Sequence, residues 1–334
     1  MKILNDFFIT RDVIGYLQNY IRLKKLNLPV FEQKLLDISL KQNMSYEQWW
    51  TLLDEFQKQH AIPALGIEIG KEVNVGDCGV LGYLFRTSRN LGEALNCFNR
   101  FQGLIYAGSQ AHLEQQRQGS ISLVWNPDFG YSSQISDELL VAAMINITRE
   151  IIAPSPLSLS KVSFTQPINS TDLAIYEQYF KCVVLSNQKK LSISFNSNDL
   201  LIPIPHEDKT LNSLLGIQAE ALLKQLPQSD IFLAELRDTI IRCLHEGNAD
   251  VKNVAKQFNM STRTLHRRLK DKNRVYREIV KDIRKSMALT YLGDPKLTLS
   301  EIALMLGYSE QSTFTRAFAS WYGMAPLRYR RANC

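Results

Sequence analysis

Two stretches near the C-terminal end decide the fold: residues 251–269 read VKNVAKQFNMSTRTLHRRL, and residues 299–318 read LSEIALMLGYSEQSTFTRAF. In the first stretch, apolar side chains recur at positions i, i+3, i+4 and i+7, starting at Val251. The second stretch repeats this spacing 48 residues later, starting at Leu299. Each set places one apolar stripe on a short helix. The sequence therefore predicts a structural repeat.

A turn signal follows each apolar stripe. Asn259 closes the first stripe and Gly307 closes the second, and both residue types tolerate the left-handed backbone that follows a helix end. Ser261 is a good N-cap for the next helix, whereas Ser309 or Glu310 is the candidate cap in the second copy. Each stripe is thus predicted to lead through a short turn into a second helix.

The second helix of each copy has two apolar anchors, four residues apart. Leu265 and Leu269 are the anchors of the first copy, and Phe314 and Phe318 those of the second. Their offset is 49 residues, so the second turn is one residue longer. Helix, short turn, helix is the plan of a helix-turn-helix unit, whose second helix enters the DNA major groove. A bundle of repeated helix pairs is the alternative.

Exposed positions of the two second helices are the candidate DNA-reading residues. Arg suits guanine and Gln suits adenine at major-groove edges, while Ser and Thr are tolerant readers. The predicted DNA-contacting residues are Thr262, Arg263, His266, Arg267, Gln311, Ser312, Thr315 and Arg316. Basic residues that cannot all reach bases are expected to contact phosphates. The predicted phosphate contacts are Arg268, Lys270 and Lys272.

Basic charge is concentrated in the last third of the chain. Residues 230–334 hold 19 Lys and Arg against 11 Asp and Glu, a net charge of +8. The total is 39 basic and 33 acidic side chains, so residues 1–229 hold 20 and 22, a net charge of −2. A basic segment on a slightly acidic body indicates a polyanion partner, with a solvated basic face as the alternative.

The segment between the two copies reads as one long helix. Residues 275–293 are periodic throughout and end at Gly293, with Pro295 shortly beyond. Such a helix spans roughly 28 Å. Recognition helices in successive major grooves on one DNA face lie ~34 Å apart. We therefore predict that one chain can contact two adjacent major-groove segments.

The first 210 residues show mixed patterns and are predicted to form an α+β domain with its own core. Residues 1–70 have helical spacing. Strands are predicted at 80–85, 121–125 (ended by Pro127), 162–164, 183–185 and 191–195. Further helices are predicted at 91–105, 135–152, 171–180 and 209–226. We place the domain boundary at 227–230, after which every pattern is helical.

Composition and motifs exclude several classes of protein. There is no apolar run long enough to span a bilayer and no good signal peptide, so a cytoplasmic location is expected. The five cysteines and five histidines are dispersed, which excludes a disulfide framework and indicates no metal site or cofactor. No catalytic or nucleotide-binding fingerprint is present, and we expect no enzyme activity. An architectural DNA-binding protein and an enzyme fused to a helix-turn-helix module are the alternatives.

Residues 307–318 (GYSEQSTFTRAF) and 321–330 (WYGMAPLRYR) closely resemble the signature of AraC/XylS-type transcription regulators. Upstream, Ile283-Arg284 and Ile302-Ala303 also fit that family. The resemblance implies a seven-helix DNA-binding domain over 231–334, with helix-turn-helix units at about 250–272 and 298–322. It also implies a homodimer that binds double-stranded promoter DNA and acts, usually as an activator, through RNA polymerase.

The N-terminal part resembles, more loosely, the ligand-binding half of the subgroup that includes ornithine-utilisation regulators. The segments that carry this resemblance are 82–101 and 176–203. It implies that residues 1–210 bind a small effector and regulate the chain, with 211–230 as connecting helix and linker. The effector-binding residues are unknown. Arg86, Arg89 and Arg100 are candidates for an anionic effector, but we interpret them as solvated helix charges.

Overall fold

The structure is a computed structural model that describes residues 8–39, 43–106, 111–116, 119–125, 133–225, 231–272, 274–294 and 297–333. The described residues from 8 to 225 form one compact unit, and those from 231 to 333 form a second. The predicted boundary at 227–230 lies outside the described residues, as do Pro127 and Pro295.

In the N-terminal unit, the described residues form nine α-helices: α1 (Asp12–Leu23), α2 (Pro29–Ser39), α3 (Tyr46–Gln59), α4 (Leu65–Gly70), α5 (Gly79–Thr87), α6 (Leu91–Phe101), α7 (Gln134–Ile152), α8 (Leu173–Phe180) and α9 (Lys209–Gln225). They also form seven strands: β1 (Phe8–Thr10), β2 (Asn43–Ser45), β3 (His112–Gln115), β4 (Ser120–Trp125), β5 (Leu159–Ser163), β6 (Val183–Leu185) and β7 (Leu191–Asn196). The α+β prediction for this unit is confirmed.

Five of these strands form one sheet in the order β3-β4-β7-β5-β6. All neighbours are antiparallel except β5 and β6, which are parallel. Leu123 lies opposite Ile193, and both are buried in the hydrophobic core. One residue away, Ser122 and Ser194 share a hydrogen bond of 2.8 Å on the other face. The sheet therefore has an apolar face and a serine-rich face, as strand alternation requires.

Helices α4 and α7 pack unusually closely because α4 contributes glycines at the contact. A Cβ added at Gly66 would lie 2.2 Å from the carbonyl oxygen of Ile135. The Gly66 N–H donates to Glu138 Oε2 at 3.0 Å, and Tyr176 and Gln134 donate to Oε1 of the same carboxyl. Burial nevertheless raises the pKa of Glu138.

Two predictions for the N-terminal unit are wrong. Residues 80–85 form part of helix α5 and not a strand, because a short apolar run suits a buried helix as well as a buried strand. Residues 1–70 are not helical throughout, since β1 and β2 pair antiparallel in a small separate sheet. The helices predicted at 91–105, 135–152, 171–180 and 209–226 are confirmed as α6, α7, α8 and α9, with small shifts of their ends.

The described residues of the C-terminal unit form seven helices and no strand: α10 (Ile231–His245), α11 (Val251–Gln257), α12 (Thr262–Asp271), α13 (Tyr276–Gly293), α14 (Leu299–Met305), α15 (Gln311–Tyr322) and α16 (Pro326–Asn333). Helices α11 and α12 form the first helix pair, and α14 and α15 the second. The long helix predicted between the pairs is α13. The all-α prediction is confirmed.

The two helix pairs bury different side chains. The first pair buries the aliphatic residues Val254, Leu265 and Leu269. The second is built around Phe318, whose ring centroid lies 4.7 Å from that of Tyr322 and 5.5 Å from that of Tyr329. Aromatic contacts at such distances add to the stabilisation that burial provides.

Candidate nucleic-acid interface

Each helix pair turns through a left-handed residue. Asn259 has φ +50° and Gly307 has φ +70°. Beyond each of these residues, a backbone N–H reaches back to the end of the preceding helix: Met260 donates to Ala255 O at 3.0 Å, and Tyr308 donates to Ala303 O at 2.9 Å. This is the bonding of a Schellman motif, which satisfies carbonyls at the helix end.

The second helices of the two pairs begin differently. In α12, the side chain of Ser261 accepts a hydrogen bond from the Thr264 N–H at 3.1 Å, so the predicted cap is confirmed. In α15, Glu310 is the N-cap residue, but its side chain accepts no hydrogen bond from the first turn of backbone. Of the two candidate caps in the second copy, the structure selects Glu310 by position.

The predicted reading residues of α12 lie on one exposed face. Leu265 and Leu269 are fully buried, whereas Arg263, His266 and Arg267 are exposed on the opposite side. Thr262, at the start of the helix, is half-buried. The face continues one turn further with Lys270, which is also exposed.

In α15, the equivalent face carries Ser312, Thr315 and Arg316. Ser312 and Arg316 are exposed and Thr315 is half-buried, opposite the buried Phe314 and Phe318. The Ser312 hydroxyl donates to Glu310 Oε2 at 3.0 Å. The hydroxyl and guanidinium of this face are groups that can bond to base edges.

Gln311 lies at the first position of α15 and is exposed. Its Oε1 accepts a hydrogen bond of 2.6 Å from the hydroxyl of Ser300 on α14. This contact orients the Gln311 amide. The sequence indicated no role for Ser300, because the contact joins two helices whose relative placement no periodicity reveals.

The three predicted phosphate contacts are all exposed, but their surroundings differ. Arg268 lies over the ring of Phe232 on α10, 5.5 Å from its centroid. Lys272 is the C-cap residue of α12. Lys270 lies on the reading face. The roles of all these residues toward DNA stay predictions.

The start of α14 is held by a capping box. Thr298 Oγ1 accepts from the Glu301 N–H at 3.2 Å, and Glu301 Oε2 accepts from the Thr298 N–H at 2.7 Å. The Thr298 hydroxyl also donates to Glu301 Oε2 at 2.7 Å. This bond and the one from the Thr298 N–H stabilise the carboxylate and lower the pKa of Glu301. In the first copy, Asp250 caps α11 by accepting from the N–H groups of Lys252 and Asn253.

The described residues offer little support for a metal site, a membrane-spanning helix or an anion site at Arg100. These residues include no cluster of three or more His, Cys, Asp or Glu side chains suited to a metal ion. Within the same part of the chain, no helix has both the length and the apolar character that crossing a bilayer demands. Arg100, a candidate for an anionic effector, instead forms an ion pair with Glu220 at 2.5 Å.

Models of known protein families match both units of this chain. A family model described as the arabinose-binding domain of AraC transcription regulators, N-terminal, matches residues 31–204, and a helix-turn-helix domain model matches 254–332. A solved structure, the transcriptional regulator CdpR from Pseudomonas aeruginosa, has a TM-score of 0.47 and 20% identity, covering 95% of this chain and 97% of that chain.

Among curated proteins, the ornithine utilization regulator of Pseudomonas aeruginosa is 31% identical over 274 residues, which cover 81% of this chain and 79% of that protein. The HTH-type transcriptional regulator VirS of Mycobacterium tuberculosis is 27% identical over 297 residues, which cover 86% and 84%. With an N-terminal domain match over half of its length and a helix-turn-helix match beyond it, this chain belongs to the AraC family of DNA-binding transcription regulators.

Proposed function

We propose that this protein is a sequence-specific regulator that reads promoter DNA with α12 and α15 and acts as an activator in the cytoplasm. The observation that carries the proposal is the pair of exposed polar faces, each presented opposite two buried anchors. Both faces carry an arginine at the same place, Arg267 and Arg316, and arginine is the commonest reader of guanine. One chain thus offers two reading helices on one framework.

Selection of binding sites from random DNA tests this proposal. We expect an enriched site with two short recognition elements, bound ~10³-fold or more tightly than random duplex at the same salt concentration. Equal affinity for the enriched and random duplexes, with the same salt dependence, would instead establish an architectural DNA-binding protein. Transcription from a promoter carrying the site, with RNA polymerase added, then distinguishes activation from repression.

We propose further that a small effector binds the N-terminal domain. The match of residues 31–204 to an arabinose-binding domain supports this. We place the site at a narrow apolar cleft of about 20 Å³ between the sheet and helices α6 and α7, which must widen to admit a ligand. The cleft is lined by nine apolar side chains and Thr148: Leu91, Leu95, Leu123, Met144, Ile145, Leu157, Leu159, Ile193 and Phe195. Such a lining favours an effector with an apolar part. A thermal-shift screen of small metabolites tests this, and Leu95→Arg, which places a charge in the cleft, should abolish the shift.

Helix α9 supports the proposal of a homodimer. Leu211, Leu214 and Ile217 are 42%, 60% and 68% exposed along one side of it. The other side is attached to its own unit: Asn212 Nδ2 donates to Leu84 O and Thr87 Oγ1, both at 2.9 Å. An apolar stripe on a fixed helix suits pairing with a second copy. Sedimentation of Leu214→Glu should show a monomer where the unmodified chain forms a dimer.

A further inference from the structure

A side chain from outside the second helix pair, Arg284, binds the turn of that pair; we call its contacts with Leu306, Gly307 and Tyr308 the Arg284 grip. Arg284, on α13, donates from Nε to Leu306 O at 2.8 Å and from a terminal nitrogen to Gly307 O at 3.1 Å. Its guanidinium also lies 4.4 Å from the ring centroid of Tyr308. One half-buried cation thus contacts three consecutive residues between α14 and α15.

These contacts are stabilising for two physical reasons. The carbonyls of Leu306 and Gly307 lie at the end of α14, where backbone acceptors lack intrahelical partners and the helix dipole favours a cation. The planar guanidinium can bond to two carbonyls and stack on a ring at the same time, which an ammonium group cannot do. The guanidinium also lies against the turn, because a Cβ on Gly307 would be in van der Waals contact with an Arg284 nitrogen at 3.4 Å.

Two further hydrogen bonds attach α15 and α16 to α13. The hydroxyl of Tyr322, at the end of α15, donates to Lys285 O at 3.1 Å. Arg330, on α16, donates from Nε to Leu292 O at 2.9 Å. Helix α13 therefore holds the turn before α15, the end of α15 and the helix that follows it.

The first pair is held differently, by α10. The ring of Phe232 meets that of Phe258 with centroids 5.6 Å apart, and Arg268 lies over Phe232. Asn253 donates to the sulfur of Cys243 at 3.5 Å. The residue 48 positions before Arg284 is Leu236, which is fully buried and has no donor in its side chain.

We propose that Arg284 is a positioning residue for DNA recognition, which couples the orientation of the second reading helix, α15, to the connecting helix α13. It touches no base itself. The inference rests on the proposed function, in which α15 reads one of two recognition elements. Loss of Arg284 releases the α14–α15 turn from α13, so α15 is no longer held in the orientation that base contacts require. Helix α12, which packs on α10, keeps its orientation.

The test is hydroxyl-radical footprinting of the full chain on its selected site. Arg284→Met should lose protection of one recognition element, the same one that Arg316→Ala weakens, and keep protection of the other. Discrimination against a changed base pair in the affected element should fall from ~10-fold or more to less than ~3-fold. In that background, adding Arg316→Ala should cost almost nothing more, since coupled residues are not additive.

Arg277→Met is the matched control, because it removes an arginine charge from an exposed position two turns earlier on α13. It should leave both footprints intact. Arg284→Lys keeps the charge without the two-carbonyl grip; if Arg284→Met fails to fold, this variant should show the same one-sided loss with a melting temperature close to that of the unmodified chain.

Loss of both elements at an unchanged melting temperature, loss of neither, or additive effects of Arg284 and Arg316 would each overturn the coupling. The proposed function fails in a different way. If Arg316→Ala leaves every base preference unchanged while Arg284→Met still loses one element, the grip stands and the assignment of Arg316 as a reader is wrong.

Discussion

The two reading helices, α12 and α15, share a backbone plan but carry different charge. Along α12 the exposed face presents Arg263, Arg267 and Lys270, and 49 residues later the same places hold Ser312, Arg316 and Ala319. Three cations on one face favour strong attraction to phosphate, whereas one cation among neutral side chains favours selective hydrogen bonding. We therefore expect α12 to contribute more to phosphate binding and α15 more to base selection.

The two pairs also differ in what stabilises them. The first has aliphatic anchors and a serine cap on its reading helix; the second has an aromatic core, a capping box on its supporting helix and the Arg284 grip. The N-caps, the buried side chains and the Arg284 contacts stabilise different parts of a helix pair.

The largest effect is expected from the cores. Phe318→Ala should destabilise the C-terminal unit by about 3–5 kcal/mol, because it leaves a cavity among Phe314, Tyr322 and Tyr329. Leu269→Ala, a smaller truncation in the first pair, should cost about 2–4 kcal/mol. Scanning calorimetry of the full chain measures both. A larger cost for Leu269 would contradict the view that the aromatic cluster is the main support.

The next largest effect is expected from the two arginines that are predicted to read bases. Arg267→Ala and Arg316→Ala should each weaken binding to the selected site by about 1–3 kcal/mol and relax preference at one position only. The two positions should lie in different recognition elements. Competition binding against single-base variants of the site measures this. If both substitutions relax the same base pair, the two helices do not read separate elements.

A cap effect of about 1 kcal/mol is expected for α12 but not for α15. Ser261→Ala removes the hydrogen bond to the Thr264 N–H and should destabilise the C-terminal unit by that amount. Glu310→Ala is the matched change in the second pair and should cost less, because Glu310 makes no such bond. Urea titration measures the free energy of unfolding of both variants. Equal losses would show that the difference in capping does not affect stability.

The charge difference predicts a small change in salt dependence. Lys270→Ala should reduce the slope of log K against log salt by about 0.9, the contribution of one phosphate contact. Ala319→Lys should raise the slope by a similar amount if the second face lies equally close to the backbone of DNA. An unchanged slope in Lys270→Ala would place this side chain away from phosphate.

The smallest effect concerns pH. The pKa of Glu301 is lowered in the folded state by its bonds to Thr298, so its stabilising contribution is present above the unfolded pKa of about 4.3 and is lost as pH falls through the folded value. Glu301→Ala should therefore be less stable than the unmodified chain at pH 7, and the gap should close in acid. Glu301→Gln keeps an acceptor but cannot ionise, so its gap from the unmodified chain should be smaller than that of Glu301→Ala at pH 7 and should narrow over the same acid range.

Much of the C-terminal unit could be predicted from its sequence because its signals are local. The apolar stripes start at Val251 and Leu299 and repeat at helical spacing. These stripes, the turn residues Asn259 and Gly307, and the cap Ser261 each act within one or two helical turns. In the N-terminal unit, the apolar run at 80–85 is typical of a strand but forms part of α5. A short apolar run fits a buried helix as well as a buried strand, and the elements that pack against it in the fold determine which of the two forms.

Four features follow from the sequence alone: the repeat, the helical periods, the exposed faces of α12 and α15, and the concentration of basic charge. Each is a property of residues close together along the chain. Packing between helices adds three contacts that no local pattern reveals: Ser300 orients Gln311, α10 supports the first pair, and Arg284 holds the turn of the second. Those contacts join helices that are distant in sequence, and their geometry depends on how the helices pack. Periodicity shows which face of a helix is buried but not which side chain reaches across to it.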